Sequence, residues 1–380
     1  MSITGSDERF MARALELARQ GFGMASPNPH VGAVLVSGGA IAGEGTHTYS
    51  GRKHAEILAL EQAGERARGA TLYLNLEPCC HTGRTGPCAD ALIAAGVRRV
   101  VAAMSDPNPL VSGQGFARLR AAGMEVETGV AEQEARKLNE AFACWIRTQR
   151  PLVTLKSAMT LDGKIAPRPA GPKQAAEAAE DRGWITGASA RAHVHEIRHQ
   201  SDAILVGVGT VIADNPLLTD RSGKARRRPL LRVILDSKLR LPRNSRLVQS
   251  AKEDVLVFSG PVEAARRTEL ERCGVRVEEA SQSDEGGRPD LRAVVARLGA
   301  LEITSLLIEG GSLINGAALA QAVVDKVLLY YAPKILGGGA VPFASGPGFD
   351  KAALARCATW QTLGEDSVVE GYLRDPYGAY

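Results

Sequence analysis

Glu77-Pro78-Cys79-Cys80-His81-Thr82-Gly83-Arg84-Thr85-Gly86-Pro87-Cys88, with His54-Ala55-Glu56 upstream of it, decides how the first part of this chain is read. Leu72, Leu74 and Leu76 alternate with Tyr73 and Asn75, the period of a strand, and Glu77-Pro78 ends it. Proline suits a first helical turn, so Pro87-Cys88 opens a helix that runs to Gly96. Another helix is expected at about 54–63. The stretch therefore reads as strand, thiol-bearing loop and helix, the unit of an α/β layered domain.

The flanks extend that reading. Ser6 or Asp7 can cap a first helix whose apolar stripe is Phe10, Met11, Ala14, Leu15, Leu17 and Ala18. Pro27-Asn28-Pro29 is a turn before a strand at 31–36, and Ser37-Gly38-Gly39 is a hairpin. A strand is expected at 97–104, and elements alternate up to Trp145. Arg150-Pro151 marks the joint, giving domains 1–149 and 150–380. Beyond it, strands are expected at 153–158, 203–208, 231–235, 255–258, 303–308 and 327–331, with Asp162-Gly163 as a turn and 166–181 as a polar insertion. This is a second α/β domain.

Composition removes several function classes. At 380 residues the chain exceeds what one hydrophobic core usually serves. No run of eighteen apolar residues supports a membrane helix, and Met1-Ser2-Ile3-Thr4-Gly5-Ser6-Asp7-Glu8-Arg9 has no signal-peptide pattern, so a cytoplasmic protein is expected. A net charge of +4 and 4% aromatic residues argue against nucleic acid as partner. Arg226-Arg227-Arg228 reads as a solvated loop. Three of six cysteines lie within ten residues of each other, which points to metal or catalysis and away from a disulfide framework. Cys144, Cys273 and Cys357 read as small buried hydrophobes.

A catalytic zinc site keeps three protein ligands and an open position for water. His54, Cys79 and one further thiolate meet that count. The zinc-deaminase signature pairs H-x-E with P-C-x-x-C, its glutamate moving protons. Here H-x-E is intact, but no cysteine lies three places after Cys79, so the second thiolate is Cys80 or Cys88. Adjacent residues point apart, which favours Cys88, and a helix start stabilises its thiolate. Cys80 is then a buried filler and His81 a substrate contact. The competing reading is a structural zinc site completed by His81 or Cys80. Glu56 would take a proton from the water and deliver it to a ring nitrogen and departing ammonia. Positions i and i+2 face apart on a regular helix, so His54 and Glu56 must sit at a distorted first turn.

The second domain is less explicit. Gly207-Val208-Gly209 follows a strand, but Ile212 stands where a dinucleotide fingerprint needs its third glycine. Glu309-Gly310-Gly311-Ser312 joins a strand end to a helix start whose free N–H groups suit a phosphate. Thr210 reads as an N-cap and Asp214 as a turn former. Arg198 reads as a solvated charge or a phosphate clamp. Lys156 lies on an internal strand, where an unpaired ammonium is costly, so it faces the cleft. Trp184 suits either core or a cofactor edge.

Together with Asn28-Pro29-His30-Val31-Gly32-Ala33-Val34 and Asp106-Pro107-Asn108-Pro109, the first set resembles the deaminase half of the bifunctional riboflavin biosynthesis protein family. Lys156-Ser157-Ala158-Met159-Thr160-Leu161-Asp162-Gly163-Lys164, Trp184-Ile185-Thr186-Gly187, Asp214-Asn215-Pro216-Leu217-Leu218-Thr219, Leu235-Asp236-Ser237 and Gly337-Gly338-Gly339 resemble its reductase half. The resemblance implies an α/β fold class, with an N-terminal cytidine-deaminase-like three-layer domain and a C-terminal dihydrofolate-reductase-like domain. It implies an enzyme that uses zinc to deaminate 2,5-diamino-6-ribosylamino-4(3H)-pyrimidinone 5′-phosphate and NADPH to reduce the ribosyl chain to ribityl. His54, Cys79 and Cys88 would bind zinc, Glu56 would shuttle protons, and Asn28 would hold the pyrimidine edge. Ala158, Trp184, Thr210, Asp214, Ser237, Gly311, Ser312, Leu313, Ile314, Asn315, Gly316 and Ala317 resemble cofactor contacts. Arg198, Leu218, Arg221 and Glu309 resemble substrate contacts. Small phosphorylated pyrimidines are the expected partners, with neither nucleic acid nor membrane, and a homo-oligomer is expected.

Overall fold

A computed structural model describes residues 5–81, 86–168, 184–282 and 287–378. Nearly all of the polar insertion at 166–181 lies outside the described residues. Among the described residues no helix is long and apolar enough to cross a membrane. The chain forms two compact units. The first runs to Gln149 and takes in Ala225–Arg228; the second comprises Arg150–Lys224 and Pro229–Gly378.

In the first unit, α1 (Gly5–Arg19) precedes the hairpin β1 (Gly32–Ser37) and β2 (Ala40–Thr46). Then come α2 (Ala55–Ala63), β3 (Thr71–Leu74), α3 (Cys88–Ala94), β4 (Arg99–Ala102), α4 (Gln114–Ala121), β5 (Glu125–Thr128) and α5 (Glu132–Thr148). The sheet order is β2-β1-β3-β4-β5, with β3, β4 and β5 parallel and β1 antiparallel to both neighbours. Glycines reveal the layers. A methyl group on Gly32 would lie 2.1 Å from the Ala14 carbonyl oxygen of α1, and one on Gly45 would lie 2.0 Å from the Ala55 carbonyl oxygen of α2. Gly45 is paired with Ala33, the residue after Gly32, and successive strand residues face opposite sides. Thus α1 and α2 cover opposite faces of one sheet, in three layers.

Two expectations are corrected in this unit. Ser6 and Asp7 are not caps, since α1 already includes Gly5; Asp7 is buried, accepts the Tyr73 hydroxyl at 2.8 Å and pairs with Arg99 at 2.8 Å. The Arg226-Arg227-Arg228 triplet is no solvated loop either. The Arg227 guanidinium lies 4.1 Å from the centre of the Tyr49 ring and donates to the Ser26 carbonyl at 2.9 Å. A guanidinium over an aromatic face gains a cation–π attraction that open solvent would not give.

The second unit is built on a nine-stranded sheet ordered β11-β10-β9-β8-β12-β6-β13-β16-β15. Its strands are β6 (Leu152–Thr160), β8 (Ala203–Gly207), β9 (Leu231–Leu235), β10 (Val255–Ser259), β11 (Val275–Glu279), β12 (Ser305–Ile308), β13 (Lys326–Ala332), β15 (Arg356–Leu363) and β16 (Asp366–Tyr372). A separate pair is formed by β7 (Lys164–Ala166) and β14 (Val341–Pro342). From β11 to β13 all pairings are parallel, and β16 and β15 join antiparallel. Strands β9 and β10 are buried at every position, as parallel strands covered on both faces must be. The chain runs outward through β8 to β11, then returns to insert β12 between β8 and β6. A crevice at the carboxyl ends of strands is where open sheets of this kind bind ligands.

Candidate active sites

In the first unit the sheet ends at a group of side chains carried by two helix starts. His54 is the N-cap of α2, with extended backbone (φ −75°, ψ 159°). It therefore stands outside the regular helix, and Glu56 on the first turn can face the same centre. Cys88 is the first residue of α3, behind the N-cap Pro87. Cys79 is tied to that helix start: its carbonyl accepts the Ala89 N–H at 3.1 Å and its sulfur the Cys88 N–H at 3.3 Å. His54 Nδ1 lies 3.1 Å from Cys88 Sγ and 3.4 Å from Cys79 Sγ, and the three donor atoms all fall within 4.8 Å. Tetrahedral zinc with bonds of about 2.0–2.3 Å needs donors about 3.5 Å apart. The trio fits zinc as it stands, and no fourth such residue joins it among the described residues.

The two thiols share one proton unequally: their mutual bond and burial push the Cys88 thiol up. The Cys79 thiol is pulled down to about 4, first by the bond from the Cys88 thiol and then by His54. Burial pushes the Glu56 carboxyl up, while His54 opposes it; Glu56 is 3% exposed. Cys80 is not the buried filler expected. It is partly exposed and its sulfur turns to the Gln114 side chain, 3.9 Å away. His81 is exposed.

Carboxylates and amides that sequence reasoning missed hold this site in place. Glu77 accepts four backbone N–H groups, those of Asp106 and Gly113 on Oε2 and those of Gly115 and Phe116 on Oε1, at 2.8–3.2 Å. It thereby satisfies the start of α4 and pins the chain just before Cys79. Asn75 accepts the Gly32 N–H and donates to the His30 carbonyl, and Asn139 grips both polar groups of His30. These bonds fix the loop carrying Asn28, whose Nδ2 lies 2.9 Å from His47 Nε2. Asp106 is pushed up to about 6 by burial, with Glu77 adding to the effect and the Asn108 N–H opposing it.

In the second unit the register Ile308↔Leu155 puts Glu309 level with Lys156. Arg198, from the helix Ala188–Gln200, meets Glu309 in a fork, Nε at 2.7 Å and Nη2 at 3.0 Å, and Lys156 Nζ lies 3.7 Å from the same carboxylate. Arg198 is therefore not one charge on a solvated face. Burial would raise the Glu309 carboxyl, but Lys156 and Arg198 hold it down to about 2. Burial pulls the Lys156 ammonium down, with Glu309 opposing. Lys156 also lies 5.6 Å from the centre of the Tyr330 ring, whose hydroxyl meets His193 Nδ1 at 2.9 Å. Arg221 is exposed; Leu218 has a left-handed backbone (φ 55°) and sends its side chain into the core.

Three of the expected cofactor contacts follow the carboxyl ends of strands: Thr210 after β8, Ser237 after β9 and Gly311 after β12. Thr210 lies inside the helix Val208–Asp214, whose N-cap is Gly207, so it is not an N-cap; a methyl on Gly311 would lie 4.0 Å from its hydroxyl. Asp214 closes that helix and Asn215 takes the left-handed turn (φ 43°). Ser237 follows β9, and its carbonyl accepts the Gly260 N–H at 3.1 Å. Ala158 pairs with Tyr330 across β6 and β13. Gly311 is the N-cap of the helix Ser312–Ala320. Within the predicted turn, Ser312 bonds Ser345 at 2.6 Å and Asn315 donates to the Phe343 carbonyl. A methyl on Gly316 would lie 1.8 Å from the Ser345 carbonyl oxygen. Those three residues face protein, Ile314 and Ala317 pack on the core, and Leu313 is exposed. What the turn offers an anion is main-chain N–H. Trp184 is 57% exposed, which removes its core reading, and its ring lies 5.1 Å from the Arg191 guanidinium. Cys144 is buried as expected, but Cys357 is exposed on the edge strand β15 and Cys273 is half-buried.

Comparison with known proteins agrees with this geometry. Residues 4–104 match the cytidine and deoxycytidylate deaminase zinc-binding region, and residues 151–369 match the RibD C-terminal domain. The chain is 42% identical over 378 residues to the riboflavin biosynthesis protein RibD of Actinobacillus pleuropneumoniae, covering 98% of this chain and 97% of that one. It is 40% identical over 364 residues to RibD of Aquifex aeolicus, covering 96% and 97%. Among solved structures, Acinetobacter baumannii RibD superposes with a TM-score of 0.81 at 37% identity, covering 97% of this chain and 98% of that one. The diaminohydroxyphosphoribosylaminopyrimidine deaminase/5-amino-6-(5-phosphoribosylamino)uracil reductase of Thermotoga maritima gives 0.78 at 37% identity, with the same coverage. The fold class is thus a cytidine-deaminase-like domain followed by a dihydrofolate-reductase-like one, and the His/Cys/Cys group fits the zinc of the first. This chain belongs to the RibD family, the bifunctional deaminase–reductases of riboflavin biosynthesis.

Proposed function

We propose that residues 1–149 catalyse zinc-dependent hydrolytic deamination of 2,5-diamino-6-ribosylamino-4(3H)-pyrimidinone 5′-phosphate. Residues 150–380 then use NADPH to reduce the ribosyl chain of the product, 5-amino-6-(5-phosphoribosylamino)uracil, to ribityl. The observation that carries the first reaction is the three-donor group with a buried carboxyl beside it. Zinc held there supplies a water acidic enough to ionise near pH 7, since the bound pKa is about 7. Asn28 holds the pyrimidine edge. Glu56 takes one proton from the attacking water and gives it to a ring nitrogen, then takes the second as the new hydroxyl becomes a carbonyl and gives that one to the departing ammonia.

In the reductase reaction NADPH supplies the hydride. The free N–H groups at 311–313 cradle its phosphate, with Ala158, Trp184, Thr210, Asp214 and Ser237 around it. Arg198 and Arg221 hold the substrate phosphate beside Leu218. Hydride transfer to the ribosyl C1′ breaks its bond to the ring oxygen, which then needs a proton, and the pair Lys156 and Glu309, 3.7 Å apart, supplies it. A cytoplasmic setting and a homo-oligomer complete the reading. Thiolate ligands favour a reducing compartment, and sedimentation tests the assembly.

Zinc-loaded protein with NADPH releases ammonia from the diaminopyrimidinone and consumes NADPH in the following step. Chelating the zinc stops ammonia release but leaves NADPH consumption on supplied deaminated substrate. Folded, zinc-loaded protein that shows neither activity contradicts the proposal.

A further inference from the structure

His47, just after β2, is 3% exposed and hydrogen-bonded at both ring nitrogens. Its Nδ1 lies 3.0 Å from the Lys53 carbonyl oxygen and its Nε2 lies 2.9 Å from Asn28 Nδ2. A carbonyl has no hydrogen to give, so the proton of the pair sits on Nδ1. Nε2 faces the amide nitrogen of Asn28, which has hydrogens to give and no lone pair to offer, so Nε2 accepts there. A carboxamide can donate only through its nitrogen. The Lys53 carbonyl therefore sets the tautomer of His47, and the tautomer sets which way the Asn28 amide is turned. No hydrogen bond from the described residues reaches Asn28 Oδ1. The His47 ring meets the His54 ring edge-on at 5.3 Å, which places this relay one imidazole from the metal ligands.

We propose that His47 is a positioning residue that holds the amide oxygen of Asn28, and not its nitrogen, toward the bound heterocycle, so that the site selects a pyrimidine presenting an N–H donor there. The proposal rests on the reading that Asn28 meets the pyrimidine edge. It goes further by giving that edge a polarity: the ring N–H of the 4(3H)-pyrimidinone is accepted, and a ring bearing a lone pair or a methyl group in its place is refused.

The test compares zinc-loaded wild type, His47→Leu and His47→Gln on the natural substrate and on its analogue methylated at ring nitrogen 3. Removing a second-layer partner of this kind costs about 10–100-fold in activity. That loss is expected in His47→Leu as a raised KM, together with a fall in the preference for the natural substrate over the analogue. In His47→Gln one amide can still donate to the Lys53 carbonyl and accept from Asn28, and it recovers most of both. Zinc content and reduction of supplied deaminated substrate stay at wild-type levels, which separates positioning from misfolding. His47→Leu with wild-type KM and undiminished preference overturns the proposal, as does His47→Gln impaired as deeply as His47→Leu. Wild type that shows no preference for the N–H substrate overturns it even if both variants misfold. Wild type that deaminates nothing overturns the functional reading first, and this proposal with it.

Discussion

Glu56→Gln keeps its zinc and loses deamination by about 10²–10⁴-fold, the range that a general acid–base contributes. The carboxyl sits on the first turn of α2, two residues after a metal ligand that is itself outside the regular helix. Glutamine fills the same volume and retains a carbonyl, but it cannot take up a proton and give it back. The metal remains because the three donors proposed for it, His54, Cys79 and Cys88, are untouched. Reduction of supplied deaminated substrate proceeds at the wild-type rate, because every residue assigned to that reaction belongs to the second unit. Metal analysis beside the two half-reactions checks all three parts. Loss of zinc in this variant would make Glu56 a ligand and reverse the assignment of its role.

The second large effect is on stability. Glu309→Gln removes the anion that Lys156 and Arg198 share and leaves two cations facing each other, with side chains 14% and 11% exposed. Breaking such a buried pair costs about 3–5 kcal/mol. The dependence on pH has a definite sign. Glu309 titrates near 2 in the folded chain against an ordinary value of 4.5, so its stabilisation is fully present above 4.5 and is lost as pH falls through about 2. Urea unfolding should therefore separate wild type from Glu309→Gln most widely at neutral pH, with the gap narrowing in acid. Adding Lys156→Met to the variant removes one of the stranded cations and recovers part of the loss. Equal stability of wild type and Glu309→Gln at neutral pH contradicts this account.

What could be read from the residues follows what each signal depends on. The zinc trio was legible because ligand chemistry restricts residue type, and because Pro87 announces the helix start that carries Cys88. Glu309 and Arg198 were each singled out in the sequence but not as a pair, since they lie 111 positions apart, one at a strand end and the other on a helix. His47 carried no signal at all. A lone imidazole becomes informative only when both of its partners are seen. Strand β15 was missed because almost every residue in it is exposed, including Trp360 at 71%, so no hydrophobic period marks it. Strand β11 lies at the opposite sheet edge, where Arg276 separates its two valines and Glu278-Glu279 ends it. Trp184 shows a converse ambiguity: residue type alone allowed core or a cofactor edge, and only its exposure beside Arg191 removes the first.

The most direct test is X-ray absorption at the zinc edge of the holoenzyme in solution. A hydrolytic centre of the kind described gives two sulfur neighbours at about 2.3 Å and two lighter ones at about 2.0–2.1 Å, one an imidazole nitrogen and the other exchangeable. Three sulfurs would bring Cys80 into the sphere. A second imidazole would do the same for His81, and either result would close the corner on which the deamination chemistry depends.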